Sequence, residues 1–255
     1  MKRIAILGLV MALWAFGNCK AQSDSYENWL VEGNAAYEAG GYEQALALYG
    51  QIEEAGVESP ALYYNMGNTY YKMKAYPMAI LYYEKALKLD PGNEDIRTNL
   101  EIANLAIVDK INVIPQSFIK RWWNGLKQSL SADGWAWVGV ALFGTLLLCL
   151  FVFLTSRRTG WRKTGFFVGL LVLICLLFSL VFAIGQYRDL KVQDEAIIMT
   201  PTVTAKSSPS VNSVDLFVLH EGTKVRILDT AKDWNKIRIA DGSLGWLQAS
   251  DMIAF

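Results

Sequence analysis

The chain has 255 residues, with 24 basic and 24 acidic side chains, a pI near 6.6 and a mean hydropathy of +0.22. That balance leaves no basic excess for nucleic acid, and a single histidine, His220, makes a zinc site improbable on composition alone. The 53% hydrophobic content sits largely in two long apolar blocks and a short N-terminal one, so the averages conceal a segmented chain.

Lys2 and Arg3, the apolar run Ile4 to Phe16, and small Cys19 and Ala21 before Gln22 read as a secretory signal over residues 1–21. Two alternatives stay open: lipidation of Cys19, for which Phe16-Gly17-Asn18 is a poor lipobox, and an uncleaved anchor. Cys149 and Cys175 lie inside the apolar blocks. The exported parts then hold no cysteine, hence no disulfide framework and no thiol nucleophile.

The stretch Pro60 to Pro91 sets small residues, Gly67 and Ala79, where two helices must approach closely, with Tyr63, Tyr70 and Tyr83 around them. Pro91 cannot continue the helical ladder and ends it. Gly33, Ala45 and Tyr49 repeat Gly67, Ala79 and Tyr83 at a 34-residue offset. This pattern resembles a tetratricopeptide array, a protein-binding fold, with repeats at 26–59 and 60–93. Helices are expected at about 26–39, 42–55, 60–73 and 76–89. A capping helix over about 94–110 carries Ile96, Leu100, Ala103 and Ile107, and closes the array at residue 112. Glu27, Glu32, Glu38, Glu43, Glu53, Glu54 and Glu58 give the first repeat a one-sided charge, read as a solvated face or as a surface that steers basic partners.

Residues 113–134 mix Trp122 and Trp123 with Lys120, Arg121 and Lys127, and read as an interfacial helix or a plain linker. Two charge-free segments follow, 135–154 and 165–185, each long enough to cross a bilayer. Between them the basic loop 155–163 holds Arg157, Arg158, Arg162 and Lys163, which the positive-inside rule puts in the cytoplasm. Both flanking domains are then periplasmic. The spans carry no ionisable residue, so they read as an anchor and not as a transport path.

From residue 192 to 255, short β-prone runs (Leu216–Leu219, Val225–Leu228, Ile237–Ala240) alternate with turn residues, giving five or six strands and a small all-β barrel. With Asp241-Gly242 as a two-residue turn, Ile237 faces Trp246, which becomes core beside Ile239 and Leu244. Trp234 then shares the outer face with Lys236 and Arg238, a platform for a peptide or a glycan. His220, alone beside Glu221, reads as structural. Ser208-Pro209-Ser210, Glu221-Gly222-Thr223 and Gly245-Trp246 make this segment similar to a bacterial SH3-type domain.

Repeat phasing places Asn34 and Asn68 at one groove position and Asn65 and Asn99 at another, with Tyr37, Tyr64 and Tyr71 beside them. Such amides donate to and accept from a peptide backbone, or else brace neighbouring helices. In tetratricopeptide domains that clamp a terminal carboxylate, bases join the asparagines; the matching positions here are Leu30, Asp95 and Asn99, which removes that reading. No phosphate loop, metal-ligand spacing or nucleophile–base set argues for an enzyme or a cofactor.

The whole order (signal, repeats, two spans with a basic turn, SH3-type domain) resembles the BatE proteins of the Bacteroides aerotolerance operon. The resemblance implies partnership with the Bat-type von Willebrand factor A membrane proteins and a MoxR-type ATPase, and a role in oxygen tolerance or envelope stress. From the residues, the reading is a non-enzymatic inner-membrane scaffold. Its alternative is a cell-wall tether binding peptidoglycan, as an accessory to a wall hydrolase.

Overall fold

The computed structural model describes residues 26–111 and 117–255; the signal-peptide reading of 1–21, with Cys19, lies outside them. Five helices open the fold: α1 (26–38), α2 (Tyr42–Glu54), α3 (Pro60–Lys72), α4 (Tyr76–Leu89) and α5 (Glu94–Leu105). Ser59 Oγ accepts from Leu62 N at 3.1 Å and Pro60 takes the first helical position, so α3 starts where an orphan amide is satisfied and a missing one costs nothing. Gly40 turns the first hairpin at φ +80°; Lys74, its counterpart in the second, takes the same left-handed region at φ 62°.

The hairpins close on glycine. A Cβ on Gly33 would lie 2.5 Å from the Tyr49 ring, and one on Gly67 would lie 2.6 Å from the Tyr83 ring. Ala45, Tyr49, Leu62, Ile80, Tyr83 and Ile96 form the buried core around these contacts. α5 ends at Leu105, short of the expected 110; Ile107 leaves the helix and still packs on this core. Glu53 does not belong to a solvated face: it accepts from Tyr82 Oη and from Lys85 Nζ, each at 2.8 Å, and ties the two repeats.

α6 (Phe118–Lys127) leads to two antiparallel helices, α7 (Ala132–Thr155) and α8 (Thr159–Lys191), both long and apolar enough to cross a membrane. Small residues set their seam: a Cβ on Gly165 would meet Cys149 O at 3.1 Å, and one on Gly139 would meet Ser179 Oγ at 3.4 Å. Ser179 Oγ donates to Trp135 O at 2.6 Å, so its hydroxyl is satisfied inside the pair. Arg157 and Arg158 occupy the link between the helices, whereas Arg162 and Lys163 stand on the first turns of α8, not in the loop.

The C-terminal domain is one antiparallel sheet of seven strands, where five or six were expected. They are β1 (Glu195–Ile198), β2 (Thr202–Lys206), β3 (Asp215–His220), β4 (Lys224–Ala231), β5 (Trp234–Arg238), β6 (Leu244–Gln248) and β7 (Met252–Ala254). Their order is β3-β2-β6-β5-β4-β1-β7. Ala196, Ile198, Val203, Ala205, Leu219, Val225, Ile237 and Leu247 form its core.

The helical array and the sheet are not merely neighbours. Ile197 and Phe255 are buried in the helical core, and Lys88 Nζ donates to Phe255 O at 2.8 Å while standing over its ring. Lys224 on β4 pairs with Glu84 on α4 at 2.8 Å and with Glu195 at 2.9 Å. Asp109 accepts from His220 N at 2.8 Å and Thr223 Oγ1 at 2.7 Å, and meets His220 Nδ1 at 2.8 Å. His220 is structural, but it is not alone: its partner comes from 111 residues earlier in the chain.

Candidate functional site

α1, α3 and α5 present one face of the array, and the seven groove residues expected from phasing stand on it. Asn34 and Tyr37 come from α1, Tyr64, Asn65, Asn68 and Tyr71 from α3, and Asn99 from α5. Two cavities open along it. One of about 240 Å³ lies between Asn34, Tyr37, Glu38 and Asn65; one of about 340 Å³ lies between Tyr64, Asn68, Tyr71, Asn99 and Ile102.

A three-residue unit recurs with the repeat. Asn34 Oδ1 accepts from Tyr49 Oη at 2.7 Å and from Asn65 Nδ2 at 2.9 Å. One repeat later, Asn68 Oδ1 accepts from Tyr83 Oη at 2.7 Å and from Asn99 Nδ2 at 2.8 Å. Burial, and then the neighbouring Tyr37, pushes the Tyr49 hydroxyl up to about 12, and burial followed by Tyr64 raises Tyr83 in the same direction. Both phenols therefore keep their protons and donate, which fixes each Asn oxygen inward. The remaining halves, Asn34 Nδ2 with Asn65 Oδ1 and Asn68 Nδ2 with Asn99 Oδ1, have no protein partner among the described residues. Each unit thus offers one donor and one acceptor to the groove, the pairing a peptide backbone requires.

The asparagines brace the helices and line the groove with different atoms, so the two roles are compatible. Aromatic walls repeat as well: Tyr37 meets Tyr42 and Tyr71 meets Tyr76, each pair with ring centroids 5.6 Å apart. Sequence reasoning missed Glu38, Lys72 and Ile102, which complete the rim. Helical spacing from Asn34, Asn68 and Asn99 was the available signal.

On the sheet, Trp234, Lys236 and Arg238 share the outer face of β5, and Trp246 joins them there. The expected core position of Trp246 is overturned. Ile239 N donates to Ser243 O and Gly242 N to Ile239 O, which makes Ala240-Asp241-Gly242 a three-residue loop with Gly242 at φ +91°. Every pair shifts by one: Lys236 faces Trp246, Ile237 faces Gly245, and Leu247 takes the core place while Leu244 is exposed. Trp246 sits between Lys236 on β5 and Lys206 on β2. Lys206 is paired with Asp215; Lys236 and Arg238 have no ionic partner among the described residues.

Arg157, Arg158, Arg162 and Lys163 gather at the linked end of α7 and α8, far along both helices from the array and the sheet.

The tetratricopeptide repeat model matches residues 60–93, the α3–α4 hairpin and its exit. No curated protein matches the chain. Among solved structures, a candidate protein-binding protein from Bacteroides ovatus is similar over 65% of this chain and 88% of its own, at 16% identity. Its TM-score of 0.22 is too low to carry an argument about arrangement. The chain is thus a tetratricopeptide-containing protein, joined to two apolar helices and an antiparallel sheet domain.

Proposed function

We propose that the chain is a non-enzymatic adaptor of the inner membrane that holds an extended segment of another envelope protein in the α1–α3–α5 groove. The observation that carries this is the twice-repeated amide pair, Asn34/Asn65 and Asn68/Asn99, each turned inward by a tyrosine and open on the groove side. α7 and α8 are the anchor. The four bases at their linked end support a cytoplasmic turn, with array and sheet in the periplasm. The resemblance to BatE proteins makes Bat-type von Willebrand factor A proteins the partners of choice, in aerotolerance or envelope stress.

Topology is tested by labelling Glu43→Cys and Ser243→Cys with a membrane-impermeant thiol reagent. Both react in cells with an intact inner membrane if the reading holds; reaction after the membrane is breached, and not before, overturns it.

A second reading has its own observation. Trp234 and Trp246, with Lys236 and Arg238 that have no ionic partner among the described residues, form an aromatic and basic surface on an SH3-type domain suited to a peptidoglycan tether. Because Ile197 and Phe255 are buried in the helical core, the full chain is the right probe. Retention on purified sacculi that Trp234→Ala abolishes supports the tether; absent or unchanged retention removes it.

A further inference from the structure

α6 turns an apolar stripe into open space. Phe118, Ile119 and Trp122 are 79%, 76% and 59% exposed, with Leu126 on the same side. A helix on a soluble surface buries such a stripe against its own core. Here Trp123, at the edge of the stripe, packs its ring on Phe182 of α8, with centroids 5.0 Å apart. The C-terminal end of α6 is pinned as well: Lys127 O accepts from Trp135 Nε1 and from Gln186 Nε2, each at 2.9 Å, and Lys127 Nζ pairs with Asp189.

These contacts fix the height of α6. Phe182 belongs to the last apolar turn of α8, while Gln186 and Asp189 lie just beyond it. α6 therefore sits where the apolar surface of the hairpin gives way to polar side chains, and its stripe continues that surface sideways. Lys120 and Arg121 border the stripe on opposite sides, given about 100° of rotation per residue. Both are exposed, and neither has a partner among the described residues.

We infer that α6 is a binding site for anionic phospholipid: Phe118, Ile119 and Trp122 enter the boundary between headgroups and acyl chains, and Lys120 and Arg121 hold lipid phosphates. The inference rests on the reading of α7 and α8 as a membrane anchor. Charge complementarity and continuity with the apolar hairpin favour lipid over a protein occupant, and tryptophan with flanking bases is the composition of an interfacial helix.

The test uses the full chain in phospholipid nanodiscs with and without phosphatidylglycerol, in a Cys19→Ala, Cys149→Ala, Cys175→Ala background. Spin labels are placed by Ile119→Cys and, separately, by Leu147→Cys on α7, and their access to oxygen and to a water-soluble nickel chelate is compared. Both labels should be reached by oxygen and shielded from the chelate. A shielded label at 147 with an open one at 119 overturns this inference and leaves the anchor standing; open labels at both positions overturn both. In a second arm, Lys120→Gln with Arg121→Gln should lower the preference for spin-labelled phosphatidylglycerol over phosphatidylcholine roughly tenfold or more, the scale of two bases at an anionic surface. An unchanged preference overturns the assignment of the phosphates to these two bases.

Discussion

Asn65 donates its side-chain amide to Asn34 Oδ1 at 2.9 Å across 31 residues of chain, and Asn99 does the same to Asn68 at 2.8 Å one repeat later. The oxygen is spent on bracing and the nitrogen of the acceptor residue is left for the groove. Asn68→Asp separates these roles, since a carboxylate still accepts from Tyr83 and Asn99 but cannot donate. Stability should change by less than about 1 kcal/mol, while Asn68→Leu, which strands the Tyr83 hydroxyl and leaves Asn99 Nδ2 with Tyr64 Oη as its remaining acceptor, should cost about 1–3 kcal/mol. Thermal unfolding of the two variants checks the contrast, and partner capture should be lost in both.

The join between array and sheet makes a second expectation. Gly222 has φ +86°, and a Cβ there would lie 2.4 Å from Ile107 Cγ2. Gly222→Ala therefore combines a left-handed backbone with a steric clash, at about 1–3 kcal/mol. Hydrogen exchange should quicken over residues 105–111 and 195–198 and stay slow within α3 and α4. Uniform quickening would mean that the contact is not a separable joint.

The same join gives a pH dependence. Burial pushes the Asp109 carboxyl up, but hydrogen bonds from His220 and Thr223 outweigh it and hold the group below the ordinary carboxylate range. Glu195 behaves alike, with Lys224 overcoming burial. Depressed carboxylates contribute stability above their unfolded value, near 4, and lose it as pH falls through their folded values. Burial lowers Lys224, yet Glu84 and Glu195 overbalance it and leave it raised; its contribution is full below its unfolded value, about 10.4, and is lost as pH rises past the folded one. Lys88, pushed down by burial, runs the opposite way, so the alkaline limb is the shallower. Melting temperature against pH should show a neutral plateau with a steeper acid limb, and Asp109→Asn should flatten that limb.

On the sheet, Leu247 is 1% exposed whereas Trp246 is partly buried on the far side. Leu247→Ala should cost about 2–5 kcal/mol, and Trp246→Ala less than Leu247→Ala despite the larger side chain. Chemical denaturation of the two variants decides this, and the reverse order would restore the two-residue turn.

That pair marks the limit of what sequence could show. Strand alternation carried Ile237, Trp234 and Arg238 to their proper faces, because period two holds within a strand. It failed for Trp246, since one extra residue in a turn inverts every face beyond it, and Asp-Gly serves both turn lengths. Gly245 held the missing clue: a Cβ there would lie 2.8 Å from Ala205, so glycine is the inward residue. The repeat itself was legible because Gly33/Gly67 and Tyr49/Tyr83 recur at one period, and the groove followed by arithmetic. The clasp between Asp109 and His220 was not, as it joins segments 111 residues apart with no repeat or motif linking them.

In the proposed function a partner segment lies in the α1–α3–α5 groove of a membrane-tethered array. The most direct measurement places a photocrosslinking residue at Tyr64, inside the groove, or at Glu43, exposed on α2, in the full chain in its native membrane. Discrete adducts from position 64, absent from 43 and lost on adding Asn68→Asp, are the expected result. Equal adducts from both positions, or adducts from 64 that survive Asn68→Asp, would contradict it.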